Sequence, residues 1–279
     1  MVSLAAPARP RGDVGLFGPG SQSWRIDGEV MVLAGGTCAL LMQLAHPAIA
    51  AGVADHSDFR ADPFARLRRT LNASFAVVFG TRPRAELALR RINAIHGAVR
   101  GTVPETGETY RATDPGLLLW VHATLIDTAL RVYDRYVAAL TPAEAEAYHA
   151  EARQVAVRLG VPEAELPLTL VELRAEMDRL IGDGTVAVGP TARSLAPAVL
   201  HPTRFPPRLA WDAAHLISMS VMPDPIRRGY GLSWSPRREA GMRAAGAISR
   251  RLWPMIPRPL RRVPQARRAE QRVEARPAR

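Results

Sequence analysis

Seven histidines are the residues of this chain best suited to proton or metal chemistry near neutral pH: His46, His56, His96, His122, His149, His201 and His215. Two of them interrupt the apolar stretch "LMQLAHPAIAAGVADHSDF", residues 41–59, where Asp55 and Asp58 flank the second. An imidazole in such a segment needs a partner or a task. His96 shares a helical face with Ala85, Leu89, Ile92 and Val99, with Arg100 one turn further, and His122 stands among Leu118, Leu119, Leu125 and Ile126. Either spacing suits a neutral imidazole offered to a metal. It suits equally a core histidine bonded to a backbone carbonyl, the commoner outcome for any one such residue. In "RLRRT", Arg66, Arg69 and Thr70 stand at i, i+3 and i+4. Two guanidinium groups and a hydroxyl on one face suit an anionic ligand, or form an ordinary solvated basic face.

Other metal patterns are weaker. Glu146-x-x-His149 has the spacing of ferritin-like di-iron sites, with an approximate second copy in Asp212-x-x-His215. Its neighbours Glu144 and Glu151 read as a solvated face. Cys38 is the only cysteine, so an intramolecular disulfide is excluded, and the paired-cysteine zinc modules and covalent c-type haem attachment are missing with it. No His-Glu-x-x-His, Gly-x-Ser-x-Gly or P-loop motif supports a hydrolase or nucleotide-dependent reading.

The elements that must position these residues are helices. Ala, Leu, Arg and Val dominate, and aromatic residues make up 6% of a chain that is 47% hydrophobic. The expected fold class is all-α. Asp62-Pro63, Thr81 with Pro83, and Asp114-Pro115 each offer a helix start, and Thr141-Pro-Ala-Glu144 is a capping box opening a helix that ends at Gly160. "TVPETGETYRAT" reads as a loop or small hairpin between the second and third of these helices. Further helices fit "LTLVELRAEMDRLIG", "TARSLAPAVL" and "PPRLAWDAAHLISMSVM". The charge-free run from Val30 to Ala54 has the length of a membrane span, but Gly35-Gly36, Gln43, His46 and Pro47 favour a core helix broken near His46-Pro47.

The formal charge of +11 is unevenly spread: from Arg227 onward there are 15 Arg and 3 Glu, leaving the rest near neutral. Residues 1–234 read as the functional domain and 235–279 as an Arg-rich helical arm appended to it. No nucleic-acid-binding motif accompanies the arm, so a specific nucleic-acid partner is not expected. A weak polyanion or membrane-surface contact through it is. "MVSLAAPARPRGDVG" carries no legible export signal, which makes the cytoplasm the expected location.

From Gln43 to Met177 the chain resembles the DUF2236 family, which includes latex-clearing rubber oxygenases and the MpaB-type oxygenase. The resemblance lies in "AHPAIAAGVADHSDF", "RLRRT", "INAIHGAVRG", "DPGLLLWVHATL" and "LTPAEAEAYHAEA". It implies a globin-like helical bundle around a b-type haem pocket, with a histidine as iron ligand near an Arg-x-x-Lys-Thr motif. Carried over by motif, His96 would ligate the iron, while Arg66, Arg69, Thr70 and Arg100 would contact the cofactor. His46, His56, His122 and Thr70 would serve the pocket and catalysis. Arg69 replaces the family's lysine, and a guanidinium, unlike an amine, stays protonated. The resemblance implies an oxygenase that uses O2 on an apolar, isoprenoid or alkene-containing molecule. The competing readings are a non-catalytic haem sensor or carrier, and a di-iron carboxylate protein.

Overall fold

The structure is a computed structural model that describes residues 12–56, 63–201 and 208–274, without the side chains of 63–67, 208–210 and 213–214. Fourteen α-helices and one two-stranded ribbon are found among the described residues, so the all-α expectation holds. The organising element is α6 (Pro115–Tyr136), in which thirteen of twenty-two residues are buried. Burial around most of its circumference follows from an apolar sequence that is not confined to one stripe. Packed on it are α1 (Gln22–Asp27), a 3-10 turn (Val30–Gly35), α2 (Gly36–Leu44), α7 (Pro142–Leu159), α8 (Leu170–Gly182), α10 (Arg208–Val221) and α12 (Pro236–Leu252).

The long apolar run folds as the 3-10 turn and α2, followed by α3 (Pro47–His56), with a bend of 103° at the break. No single described helix is long and apolar enough to cross a membrane. The bend has a local cause: the residue before a proline is pushed out of the α region, and Pro47 is itself well suited to the first turn of a new helix. Near the end of α2, the Leu41 and Met42 carbonyls accept bonds from Tyr230 Oη (2.8 Å) and Trp120 Nε1 (3.0 Å).

Next come α4 (Pro63–Phe79) and α5 (Arg82–Ala98), joined at Gly80-Thr81 and packed along each other. So short a connection makes them antiparallel. The expected hairpin is β1 (Arg100–Thr102) paired with β2 (Thr109–Arg111). Thr81 and Asp114 stand at the N-cap positions of α5 and α6, yet neither side chain caps its helix. Asp114 instead accepts from the Arg111 amide at 2.9 Å, tying the ribbon to α6. The Thr141–Glu144 capping box is formed, and Gly160 closes α7 at φ 107°, a left-handed conformation that favours glycine. A second capping box, Thr169 with Glu172, opens α8.

After α9 (Pro190–Leu200), α10 and α11 (Asp224–Gly229) comes the region expected as an appended arm, and here the described residues pack into the body. α12 lies on α6 and α10, and Trp253 is buried with its Nε1 donating to Glu29 at 2.9 Å. Beyond α13 (Arg258–Arg261), α14 (Pro264–Glu274) lies on α4. Val263, Ala266, Ala269 and Val273 form a second small core with Trp24 and Phe79. These four small residues recur on one face while arginines occupy the other, a pattern that an average over the segment conceals.

Candidate functional site

The histidines separate by what their ring nitrogens do. At the α2–α3 bend, His46 Nδ1 accepts from the Ala48 amide at 3.3 Å, so this imidazole caps α3. Burial lowers its pKa, and the neutral ring then carries its proton on Nε2. At the other end of α3, His56 is exposed. Its Nε2 lies 2.9 Å from the Arg100 carbonyl oxygen. Asp55 accepts from Tyr110 Oη at 3.4 Å, and Asp58 lies outside the described residues. His56 thus joins the end of α3 to the strand that carries Arg100.

His96 is half-buried on α5, and its Nδ1 is enclosed with no hydrogen-bond partner among the described residues. Burial lowers its pKa, which keeps the ring neutral at pH 7. On the antiparallel partner α4, Arg69 and Thr70 are exposed, as is Arg100 beyond the end of α5. The side chain of Arg66 lies outside the described residues, but its backbone is helical. Counted from the Gly80-Thr81 turn, Arg66 stands level with His96 along the hairpin.

His122, on α6, is buried at 7% exposure, with Nε2 unpartnered. Its pKa is pushed down to about 4, by burial first and then by the neighbouring His149. His149 is itself fully buried: Nε2 bonds the Pro167 carbonyl at 3.1 Å, which leaves Nδ1 as an unpartnered lone pair. Two imidazoles with uncommitted nitrogens therefore stand on the packed helices α6 and α7, close enough for His149 to lower the pKa of His122. Sequence reasoning missed this pair because Glu144 and Glu151 suggested a solvated face. In the structure Glu144 pairs with Arg25, and Glu151 caps α1 through the amides of Gln22 (3.0 Å) and Ser23 (2.7 Å). The legible signal was the i, i+3, i+4 spacing of Tyr148, His149, Ala152 and Ala156, all buried on one side of α7.

The residues of the di-iron pattern have other duties. Glu146 takes the Leu170 amide at the start of α8, at 3.0 and 3.1 Å. His215 Nδ1 lies 3.1 Å from Thr37 Oγ1, with its Nε2 on the Leu200 carbonyl, and Asp212 faces His201 Nε2 at 3.0 Å. Among the described residues no three His, Cys, Asp or Glu side chains converge to hold a metal ion. Cys38 is buried against Met42 and Thr128, its thiol pushed up to about 12 chiefly by burial, which makes it packing rather than a nucleophile.

In what the site offers to a ligand, the exposed cations of the α4–α5 hairpin and an available neutral imidazole stand on adjoining helices. The chain is 30% identical over 132 residues to the uncharacterized proteins Mb2261 of Mycobacterium bovis and Rv2237 of Mycobacterium tuberculosis. The match takes in 46% of this chain, and the chain spans about half the length (51%) of these curated relatives. No solved structure matches it. The model of the ER-bound oxygenase mpaB/B'/rubber oxygenase catalytic domain matches residues 24–251, from α1 nearly to the end of α12, and the chain belongs to that family.

Proposed function

We propose that the chain is a haem-b-dependent oxygenase acting with O2 on an apolar small molecule of isoprenoid or other alkene-containing type. The observation that carries this reading is the condition of His96: a neutral imidazole, half-buried, with an enclosed ring nitrogen that no group engages among the described residues. His122 and His149 also keep one nitrogen unpartnered among the described residues, but on buried rings, whereas the His96 ring is only half-buried. Membership of an oxygenase family supports the class of activity.

The chemistry of the donor set suits the group. His96 would hold the iron, and Arg66, Arg69 and Arg100 would pair with the two propionates, with Thr70 as a hydroxyl donor. Bound there, b-type haem supplies an iron centre that exchanges electrons with O2. The chain's own residues then divide the remaining work. Arg69 stays charged and can pair or donate, so it cannot take the acid–base role open to a lysine. His122, neutral at pH 7 with Nε2 uncommitted, can hold a hydrogen bond to a polar oxygen without adding charge to an apolar pocket. His46 keeps its donor nitrogen free because Nδ1 is committed to α3. His56 fixes the Arg100 carbonyl and so steadies the strand that presents that guanidinium.

The test is the absorption spectrum of the purified, haem-supplied protein, followed by O2 uptake on addition of a terpenoid alkene. A Soret band that is lost or displaced in His96→Ala and retained in His122→Ala is expected. No band in the wild type, or a band kept by His96→Ala and lost in His122→Ala, would sink the assignment. A haem band without O2 uptake across a panel of apolar alkenes would leave a haem carrier in place of an oxygenase.

A further inference from the structure

Away from the histidines, a cleft of about 350 Å3 opens where the C-terminal ends of α6 and α10 meet α12. Arg131, Asp134 and Arg135 from α6, Ser220 from α10, and Arg243 and Arg250 from α12 line it. The pairs at i, i+4 and i, i+7 put both contributions on facing sides of their helices. Arginines near helix C-termini have an ordinary structural use, since they satisfy terminal carbonyls and complement the helix dipole. That use accounts for part of the cluster. Arg135 spends Nη1 on the Ser220 carbonyl (2.6 Å) and Nη2 on Glu239 (2.7 Å), and Arg250 Nη1 reaches the Asp134 carbonyl at 3.0 Å.

The remainder is not accounted for. Arg243 is exposed and makes no hydrogen bond or ion pair among the described residues. Arg131 uses Nε on Asp127, but Asp127 is shared with Arg174, so one carboxylate faces two guanidinium groups. The Asp134 carboxylate is turned to the Leu140 amide at 2.9 Å rather than to any arginine. With the structural bonds subtracted, Arg243 and the outer donors of Arg131 and Arg250 converge on the cleft with about two positive charges in excess. Guanidinium forks match phosphate oxygens, and a dianion offers enough acceptors for three of them.

We propose that this cleft binds a phosphate- or diphosphate-bearing ligand, independently of any haem. The shared chemistry has two sources: a soluble phosphorylated molecule, or a lipid headgroup reached through the exposed Ile248 and Leu252 of the same α12. The experiment is calorimetric titration of pyrophosphate and inorganic phosphate into the full chain at fixed ionic strength. It is paired with sedimentation of phosphatidylcholine vesicles containing phosphatidic acid. Saturable one-to-one binding of pyrophosphate is expected, weakened about ten- to a hundredfold by Arg243→Ala, as for a lost charge-assisted bond. Arg237→Ala, exposed on α12 outside the cleft, should leave it unchanged. Vesicle binding that pyrophosphate displaces would identify the headgroup as the source, and pyrophosphate binding without co-sedimentation would identify a soluble ligand. Absence of saturable binding by either anion, or equal weakening by Arg237→Ala, overturns the proposal. Arg243 makes no hydrogen bond among the described residues and feels only the nearby Glu239 charge, so an unchanged melting temperature in Arg243→Ala verifies that the readout concerns the ligand.

Discussion

Replacing Arg262 by alanine should unfold the junction between the C-terminal segment and the body. Arg262 is buried at 6% exposure, and its guanidinium donates to the Trp24 carbonyl (2.9 Å), the Arg25 carbonyl (3.0 Å) and Glu270 (2.8 Å), with Glu29 at 3.5 Å. Glu29 is itself buried, so removal of the cation leaves two carbonyls without their donor and Glu29 with only the Trp253 Nε1 bond and the more distant Arg261 at 3.8 Å. Breaking a buried pair from one side costs about 3–5 kcal/mol. Against a total of about 5–15 kcal/mol for a native domain, that is a large fraction. With a urea slope of about 2–3 kcal/mol per molar, the unfolding midpoint should fall by about 1–2.5 M. Gly28 supplies an internal check. A Cβ there would lie 2.3 Å from Arg262 Cζ and both Nη atoms, while the backbone at φ −74° would accept alanine without strain. The guanidinium cannot simply swing aside, because its bonds hold it in place. Gly28→Ala should therefore destabilise the wild type but cost little once Arg262→Ala has removed the obstacle, a strong coupling in a double-mutant cycle. Urea unfolding followed by tryptophan fluorescence measures all four corners. An Arg262→Ala midpoint equal to the wild type's, or the same Gly28→Ala cost in both backgrounds, would refute the reasoning.

Three further outcomes are expected. Asp27, whose carboxyl accepts from Tyr148 Oη at 2.7 Å, has its pKa raised to about 7, chiefly by burial. Its stabilising contribution is full below about pH 4 and is lost as pH rises through 7, so Asp27→Asn should gain on the wild type across that window by at most about 1.4 kcal/mol per pH unit; parallel stability curves would contradict this. His122 has the opposite sign. Lowered to about 4, its contribution is present above the unfolded value near 6.5 and lost as pH falls through 4, so His122→Phe should lose less stability than the wild type between pH 7 and pH 4, as read from urea midpoints. Thr141 accepts the Glu144 amide at 3.2 Å, and Thr141→Ala should cost about 1 kcal/mol in thermal unfolding, whereas no change would mean that the cap is not formed in solution.

Helix starts and stops were legible because they depend on chemistry within one turn: Pro63, Pro83, Pro115, the Thr141–Glu144 box and Gly160 all stand where their local preferences put them. The break before Pro47 was legible for the same reason. Partners distant along the chain were not. Glu151 reads as solvated until the N-terminus of α1, some 128 residues away, brings it two amides. Arg262 is one of fifteen arginines in a segment of high charge, and only the approach of Trp24, Arg25 and Glu29 makes it a buried residue.

The histidines show where that boundary falls for function. Spacing puts His96 and His122 on apolar helix faces, and the structure buries His122 and half-buries His96. A ring's availability, however, is decided by what holds its nitrogens, and those partners are backbone groups of other elements. The Pro167 carbonyl makes His149 an acceptor at Nδ1, and the Ala48 amide makes His46 a donor at Nε2. Carbonyls and amides occur at every position, so no residue type in the sequence marks them. His96 lacks such a partner at Nδ1 among the described residues on a half-buried ring, whereas His122 lacks one at Nε2 on a buried ring. A half-buried ring needs less displacement of its surroundings to admit a ligand than a buried one, which favours His96, while the deeper burial of His122 pushes its pKa down to about 4 and keeps it neutral at pH 7.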